Sequence, residues 1–381
     1  MADRVYLHIG AAKTGTSYLQ QMIWRNREVL EEQGVFLPLG RRRAHFDAVA
    51  DLRGGIWTDG AITRTWEDLA EDVKARSGVA LVSEELLCGS SPGHIERVLA
   101  SLAPVPVHVI LAARDIGRQA PAEWQQALRA RSQMPYDEWL RRLRDEPDRS
   151  FWNTQDPVRV YERWGTRLEP GHFHLLTVPP RGALPSMLWD RFCSIFGADA
   201  SQATMPDTPQ NESLGVVESE LLRRFNAQLG PLFPMRTAYI KVVRDHLMRP
   251  ALQGSPTSVR IGVPEEWVEW ITGRADQLVQ DLRALGDQID VVGSVEDLQA
   301  QVEAATVAPD QVSDAELLDG ALKAWTRQLQ VIEVEVDQRN AAKRQRRQER
   351  VRKQEEAAER TLRRRLRRQV GAVGRRVLGR S

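Results

Sequence analysis

A lysine, three hydroxyls and two glycines fall within eight residues near the start of the chain, Gly10-Ala11-Ala12-Lys13-Thr14-Gly15-Thr16-Ser17. The lysine supplies a point charge, and Thr14, Thr16 and Ser17 supply O–H donors. The glycines let backbone N–H groups close around a small ligand. Such a set suits an anion the size of a phosphate. Two elements must position it. Val5–Ile9 is a continuous apolar run, the pattern of a buried strand. After the turn, Leu19, Met22, Ile23, Asn26, Val29 and Leu30 fall close to one helical face. Strand, turn and helix together aim backbone N–H groups and a helix N-terminus at the anion.

The residues also bear on which anion. A nucleoside-triphosphate loop requires glycines six and one positions before its lysine. This chain has Leu7 and Ala12 there. A kinase-type site further needs a strand-end aspartate to help hold magnesium, whereas the run Val79-Ala80-Leu81-Val82 ends in Ser83-Glu84-Glu85. We therefore expect phosphate binding without magnesium-dependent nucleotide hydrolysis. An ordinary strand-to-helix turn with a solvated lysine is the plain alternative.

Further along, Val35-Phe36-Leu37 reads as a brief strand before Pro38, and residues 40–64 as an irregular stretch bearing Arg41-Arg42-Arg43 and His45. Residues 65–76 read as a helix. Ile95, Val98, Leu99 and Leu102 have helical spacing. Val107–Ala112 is a further buried strand ending at Arg114, followed by a helix over 118–131, and Phe173–Val178 is another strand. Alternating strands and helices predict an α/β fold with a largely parallel sheet. Ligands bind beyond the C-terminal ends of such strands, so Gly10–Ser17, Ser83–Glu85 and Arg114 should converge. Helical segments are expected over 185–197, 214–229, 235–249 and 264–286. The organisation expected is an α/β domain over 1–304, a linker over 305–313 and a helical, basic extension over 314–381.

The run His8-Ile9-Gly10-Ala11-Ala12-Lys13-Thr14-Gly15-Thr16-Ser17-Tyr18-Leu19-Gln20 resembles the 5′-phosphosulfate-binding loop of the sulfotransferase superfamily, especially its bacterial branch. Arg114, at a strand end, resembles the arginine of that family's 3′-phosphate site. The family pattern places a serine eight residues later, where this chain has Ala122, and Asn211-Glu212-Ser213-Leu214 resembles a segment late in related bacterial sequences. The resemblance spans about residues 1–230. It implies a P-loop-NTPase-like α/β fold and transfer of a sulfuryl group from 3′-phosphoadenosine-5′-phosphosulfate (PAPS) to a hydroxyl or amine, with no metal required. Gly10 and the backbone from Ala12 to Thr16 would cradle the 5′-phosphate, with hydroxyls from Thr14, Thr16 and Ser17. Lys13 would stabilise the leaving phosphate, and Arg114 would hold the 3′-phosphate. Gln119 or the helix N-terminus would replace the hydroxyl missing at Ala122. A saccharide, lipid or small metabolite would be the acceptor, deprotonated by Glu84, Glu85 or His45. His8 and His108, inside strands, read as core histidines. An ATP-dependent small-molecule kinase and a non-catalytic scaffold working through its tail are the competing readings.

Charge divides the chain. Residues 339–381 hold 17 Lys and Arg against 4 Asp and Glu, a surplus of 13 that leaves residues 1–338 at −12 under the overall +1. The tail reads as a solvated extension or as a basic helix for an anionic membrane face. Nucleic acid is disfavoured, because no aromatic residue follows Trp325. Leu318, Leu322, Trp325, Leu329, Ile332 and Val336 lie near heptad spacing, suited to a homodimer or to packing on the body. Cys88 and Cys193 have no metal-ligand spacing and read as free thiols. No apolar run approaches a membrane span, and the expected location is the cytoplasm, with peripheral contact at the inner membrane face as a variant.

Overall fold

The computed structural model describes residues 1–55, 62–206, 213–229, 236–255, 259–303 and 307–378. Six strands form one parallel sheet: β1 (Arg4–Gly10), β2 (Val35–Phe36), β3 (Val79–Ser83), β4 (Val107–Ala113), β5 (Phe173–Thr177) and β6 (Asp290–Val292), in the order β2-β3-β1-β4-β5-β6. The expected α/β parallel architecture is therefore present. The order reverses at β1, which pairs with β3 on one side and β4 on the other. Loops leaving β1 part from their neighbours there, opening a crevice at the strands' C-terminal ends.

The first half of the chain contributes helices α1 (Thr16–Arg25), α2 (Arg27–Glu32), α3 (Arg42–Leu52), α4 (Trp66–Ala75), α5 (Pro92–Leu102), α6 (Ile116–Arg129), α7 (Tyr136–Asp145), α8 (Ser150–Gln155) and α9 (Pro157–Trp164). The second half contributes α10 (Met187–Phe196), α11 (Val216–Leu229), α12 (Arg236–Val243), α13 (Glu265–Leu285) and α14 (Asp314–Leu378).

The sheet is covered on both faces, which is why its strands read as unbroken apolar runs. Val5, Leu7 and Ile9 of β1 point to the layer built by α4, α5, α9 and α13, while Tyr6 points to the layer of α1, α2 and α10. A separate core of helices α6–α8 and α11–α14 sits beside the sheet, around Trp124, Tyr136, Leu140 and Ile271. Three findings differ from the sequence reading. The segment at 40–64 is not irregular, since α3 occupies Arg42–Leu52 and buries Ala44, Ala48, Val49 and Leu52. The first helix breaks at Asn26, whose side chain bonds Met22 O and both backbone groups of Thr204. The helix of 235–249 gives way to a π-helical turn at Arg244–Leu252. Asn211 and Glu212 lie outside the described residues.

At the opposite end of the sheet from the crevice, His108 of β4 and His174 of β5 are 3.0 Å apart, and His174 Nδ1 is 2.6 Å from Asp290 of β6. α14 packs its first turns on the body through the buried Leu317 and Ala324. Its other stripe is exposed from Leu318 to Val336. Among the described residues, no helix is long and apolar enough to cross a membrane.

Candidate functional site

The turn after β1 is shaped by residues in left-handed backbone. Gly10 has φ +111°, Gly15 has φ +85°, and Lys13 itself sits at φ +63°. A side chain in that region costs about 1–2 kcal/mol, so Lys13 is held there by its surroundings. Ala11 N donates to Ala112 O of β4 (2.9 Å), Thr14 Oγ1 to Ala11 O (2.6 Å) and Arg114 Nη1 to Lys13 O (3.1 Å). The Ala12 carbonyl accepts from Gln119 Nε2 (2.7 Å) and Gln155 Nε2 (3.3 Å). α1 follows with Gly15 at its N-cap and no side-chain cap. Its first-turn N–H groups are thus left to a ligand.

The end of β3 joins this turn. Glu85 lies over Gly10, and its Oε2 accepts from Thr16 Oγ1 at 2.8 Å. Glu85 is exposed and can meet a ligand entering from solvent. Its neighbour Glu84 points elsewhere. It is buried, caps the following 3₁₀ turn through Leu86 N, and is raised to about 7 by burial, with Glu85 adding to the shift. His45 is a helical residue of α3, not a loop histidine. Its ring is buried between Pro38 O (2.8 Å from Nε2) and Ser83 N (3.4 Å from Nδ1), and burial holds it near 4. With one nitrogen donating and the other accepting, no lone pair is left to take an acceptor's proton.

The predicted convergence of three strand ends is present, with roles distributed differently. Lys13, Thr16, Glu85 and Arg114 share one region. Arg114 follows β4 but spends its fork on the carbonyls of Lys13 and Arg118 (2.8 Å), and burial brings it down to about 10. Gln119 faces the loop's carbonyl side and Gln155 (2.8 Å). Ser17 is exposed, Ala12 and Ala122 are partly buried, and the Thr14 hydroxyl is turned back into its own loop.

Two residues that the sequence reading passed over join the site from α6. Burial lowers the Lys13 pKa first, repulsion from Arg129 lowers it further, and Glu123 and Glu85 act in the opposite direction. Glu123 is raised to about 7, chiefly by burial, and its Oε1 is shut off from water without a partner. The sequence offered no signal for the two together, since 123 and 129 are six positions apart on α6 and do not share a face. Gln155, Phe151 and Trp152 of α8 were likewise unforeseen. With Arg114, Gln119, Asp156 and Arg274 they line a narrow cleft beside the loop, where Arg274 pairs with Asp156 at 2.6 Å.

Chemically, the arrangement offers uncapped helix N–H groups and a partly buried lysine for an anion, and an exposed carboxylate next to them for a proton. No protein-family model matches the sequence, and no curated protein matches it. A solved structure, that of a sulfotransferase from Alicyclobacillus acidocaldarius, is similar at a TM-score of 0.37 and 16% identity, covering 64% of this chain and 96% of that one.

Two outcomes follow from the geometry. A Cβ on Gly15 would lie 2.6 Å from Leu188 Cδ2, in a backbone region that already disfavours it. Gly15→Ala should lower stability by about 1–2 kcal/mol, read by thermal melting. The second concerns pH. Burial depresses His8 and His45 to about 4 and His108 to about 3. Each contributes stability that is complete above the unfolded value near 6.5 and lost as pH falls toward 4. Glu84 and Glu123, raised to about 7, act oppositely: their contribution is complete below the unfolded carboxyl value and lost as pH rises to 7. Three histidines outweigh two carboxyls, so the melting temperature should fall between pH 6.5 and 4.5. Glu84→Gln should steepen that fall by removing an opposing group.

Proposed function

We propose that this chain is a transferase that moves a sulfuryl group from PAPS to a hydroxyl or amine of an acceptor. The observation that carries the reading is the meeting of a partly buried Lys13, on the turn between β1 and α1, with an exposed carboxylate from the end of β3, Glu85, anchored to α1 through Thr16. The resemblance of residues 8–20 to the phosphosulfate loop gives the anion its identity.

In this reading the N–H groups at the start of α1 hold the 5′-phosphate, and Lys13 lies against the oxygen that bridges it to sulfur. The acceptor atom bonds to sulfur as that bridging bond breaks. Glu85 takes the acceptor's proton, and Lys13 meets the charge that the departing electron pair leaves on the phosphate. Glu85 is preferred over Glu84 and His45, because Glu84 is committed to capping and both His45 nitrogens are engaged. Arg114 secures the loop carbonyl in this geometry, and each of its Nη groups keeps a second N–H for the 3′ side. The tail is read as an appendage to the enzyme and not as its functional part.

Adenosine-3′,5′-bisphosphate should raise the melting temperature in the presence of EDTA, as a ligand bound only by the folded state must. Stabilisation by ATP with magnesium alone would replace this reading by a kinase. Lys13→Ala should weaken bisphosphate binding about 10–100-fold, the scale of a charge-assisted hydrogen bond. Glu85→Gln should leave binding nearly unchanged and slow sulfuryl transfer about 10²–10⁴-fold, the usual contribution of a general base. Retention of full biological activity by both variants, with loss on deletion of 339–381, would favour the scaffold.

A further inference from the structure

Arg129 closes α6, two helical turns beyond Ala122 and on the same face. Its Nε is shut off from water and has no partner. Among the described residues it makes no hydrogen bond or ion pair. Arg129 is partly buried, and arginines withdrawn from water are usually paired, as Arg118 is with Asp115 and Arg274 with Asp156. Arg129 is instead close enough to Lys13 to be the leading charge that opposes it. Glu123 only partly offsets the two cations, because burial raises it to about 7. Poorly solvated like charges near one another are costly, and an arriving anion offsets that cost.

We infer that Arg129 is the second prong of an anion clamp, gripping with Lys13 a tetrahedral oxyanion seated on the loop. This rests on the proposed donor reading for one source of that anion, the 5′-phosphosulfate end of the nucleotide. A free inorganic sulfate is the other source with the same chemistry. A guanidinium adds what an ammonium lacks, a planar fork that fixes the orientation of the oxyanion.

The test uses the full chain as wild type, Arg129→Gln and Arg129→Lys. Titrants are adenosine-3′,5′-bisphosphate, adenosine-3′-monophosphate, adenosine and inorganic sulfate, and ligand-free melting is measured in parallel. Arg129→Gln should lose about 10–100-fold for the bisphosphate, lose the stabilisation by sulfate, and bind the 3′-monophosphate as wild type does. Arg129→Lys should lose less. Without ligand, Arg129→Gln should melt higher than wild type, because an unpaired cation has gone, whereas a structural arginine would give a lower value. Bisphosphate and sulfate responses equal to wild type in Arg129→Gln would overturn the clamp. Wild type that binds bisphosphate no better than adenosine would overturn the donor reading, and the sulfate and melting arms would still decide the clamp.

An independent observation concerns α14. Leu318, Leu322, Trp325, Leu329, Ile332 and Val336 are 42–69% exposed, a continuous large apolar stripe in water. Their 4-3-4-3-4 spacing reads the same in both directions. Two antiparallel copies would therefore match Leu318 with Val336, Leu322 with Ile332 and Trp325 with Leu329. A parallel pair would extend the seam into Arg339, Lys343 and Arg346, setting like charges together. The antiparallel pair instead brings Arg339 and Lys343 of each copy toward Asp314 and Glu316 of the other, at the cost of Asp319 lying near Glu335. The geometry points to a second copy of this chain, antiparallel, on this stripe. Sedimentation across micromolar concentrations should show a dimer, and Leu322→Glu with Leu329→Glu a monomer that still folds. A wild-type monomer would overturn the dimer. Such a monomer binding anionic vesicles would give the stripe to a membrane.

Discussion

The cost of holding Lys13 partly buried in a left-handed backbone position governs the architecture around the turn. A partly buried ammonium on a left-handed backbone position is unfavourable twice, in solvation and in conformation. The surrounding elements offset this by fixing the loop from its carbonyl side: Arg114 from β4 holds Lys13 O, and Gln119 and Gln155 hold Ala12 O. With the carbonyls occupied, the N–H side of the turn and the start of α1 face the crevice. The polarity of the site thus follows from where the acceptors have been used up.

The same logic separates the two carboxylates at the end of β3. Adjacent residues on an extended chain point to opposite sides. Glu84 is turned inward, buried, and used to cap a 3₁₀ turn, while Glu85 stays exposed over Gly10 and is tied to α1 through Thr16. Gly10 supplies the φ of +111° that the turn needs here, and a Cβ on it would lie at van der Waals contact with Glu85 Cβ, 3.4 Å away. On the far side of the lysine, α6 contributes Glu123 and Arg129, both poorly solvated. Lys13 is therefore poised between charges from two strand ends and one helix, and an arriving anion changes the balance for all of them.

What could be read beforehand follows burial. β1, β3, β4 and β5 are covered on both faces, so they appear as apolar runs in the sequence. β6 is three residues with only partial burial, and it exists because β5 offers an edge to pair with. α3 was hidden because its inward face is built from Ala44, His45 and Ala48 behind three arginines, a weak periodic signal that tertiary packing turns into a fully buried face. His45 was misplaced for the same reason.

The sequence alone determined the strand–turn–helix around Lys13, the α/β parallel class and the charge division between body and tail, because each is local in sequence and set by residue type and spacing. Tertiary structure decided the rest. It set Glu85 rather than Glu84 beside the turn, engaged both His45 nitrogens, turned Arg114 and Gln119 onto the loop carbonyls, and put Arg129 among the charges acting on Lys13. Those outcomes depend on side chains that are 70 to 120 residues from the turn in sequence or are buried between elements. Burial and competition for hydrogen-bond acceptors are properties of the assembled fold, and no spacing rule along the chain encodes them.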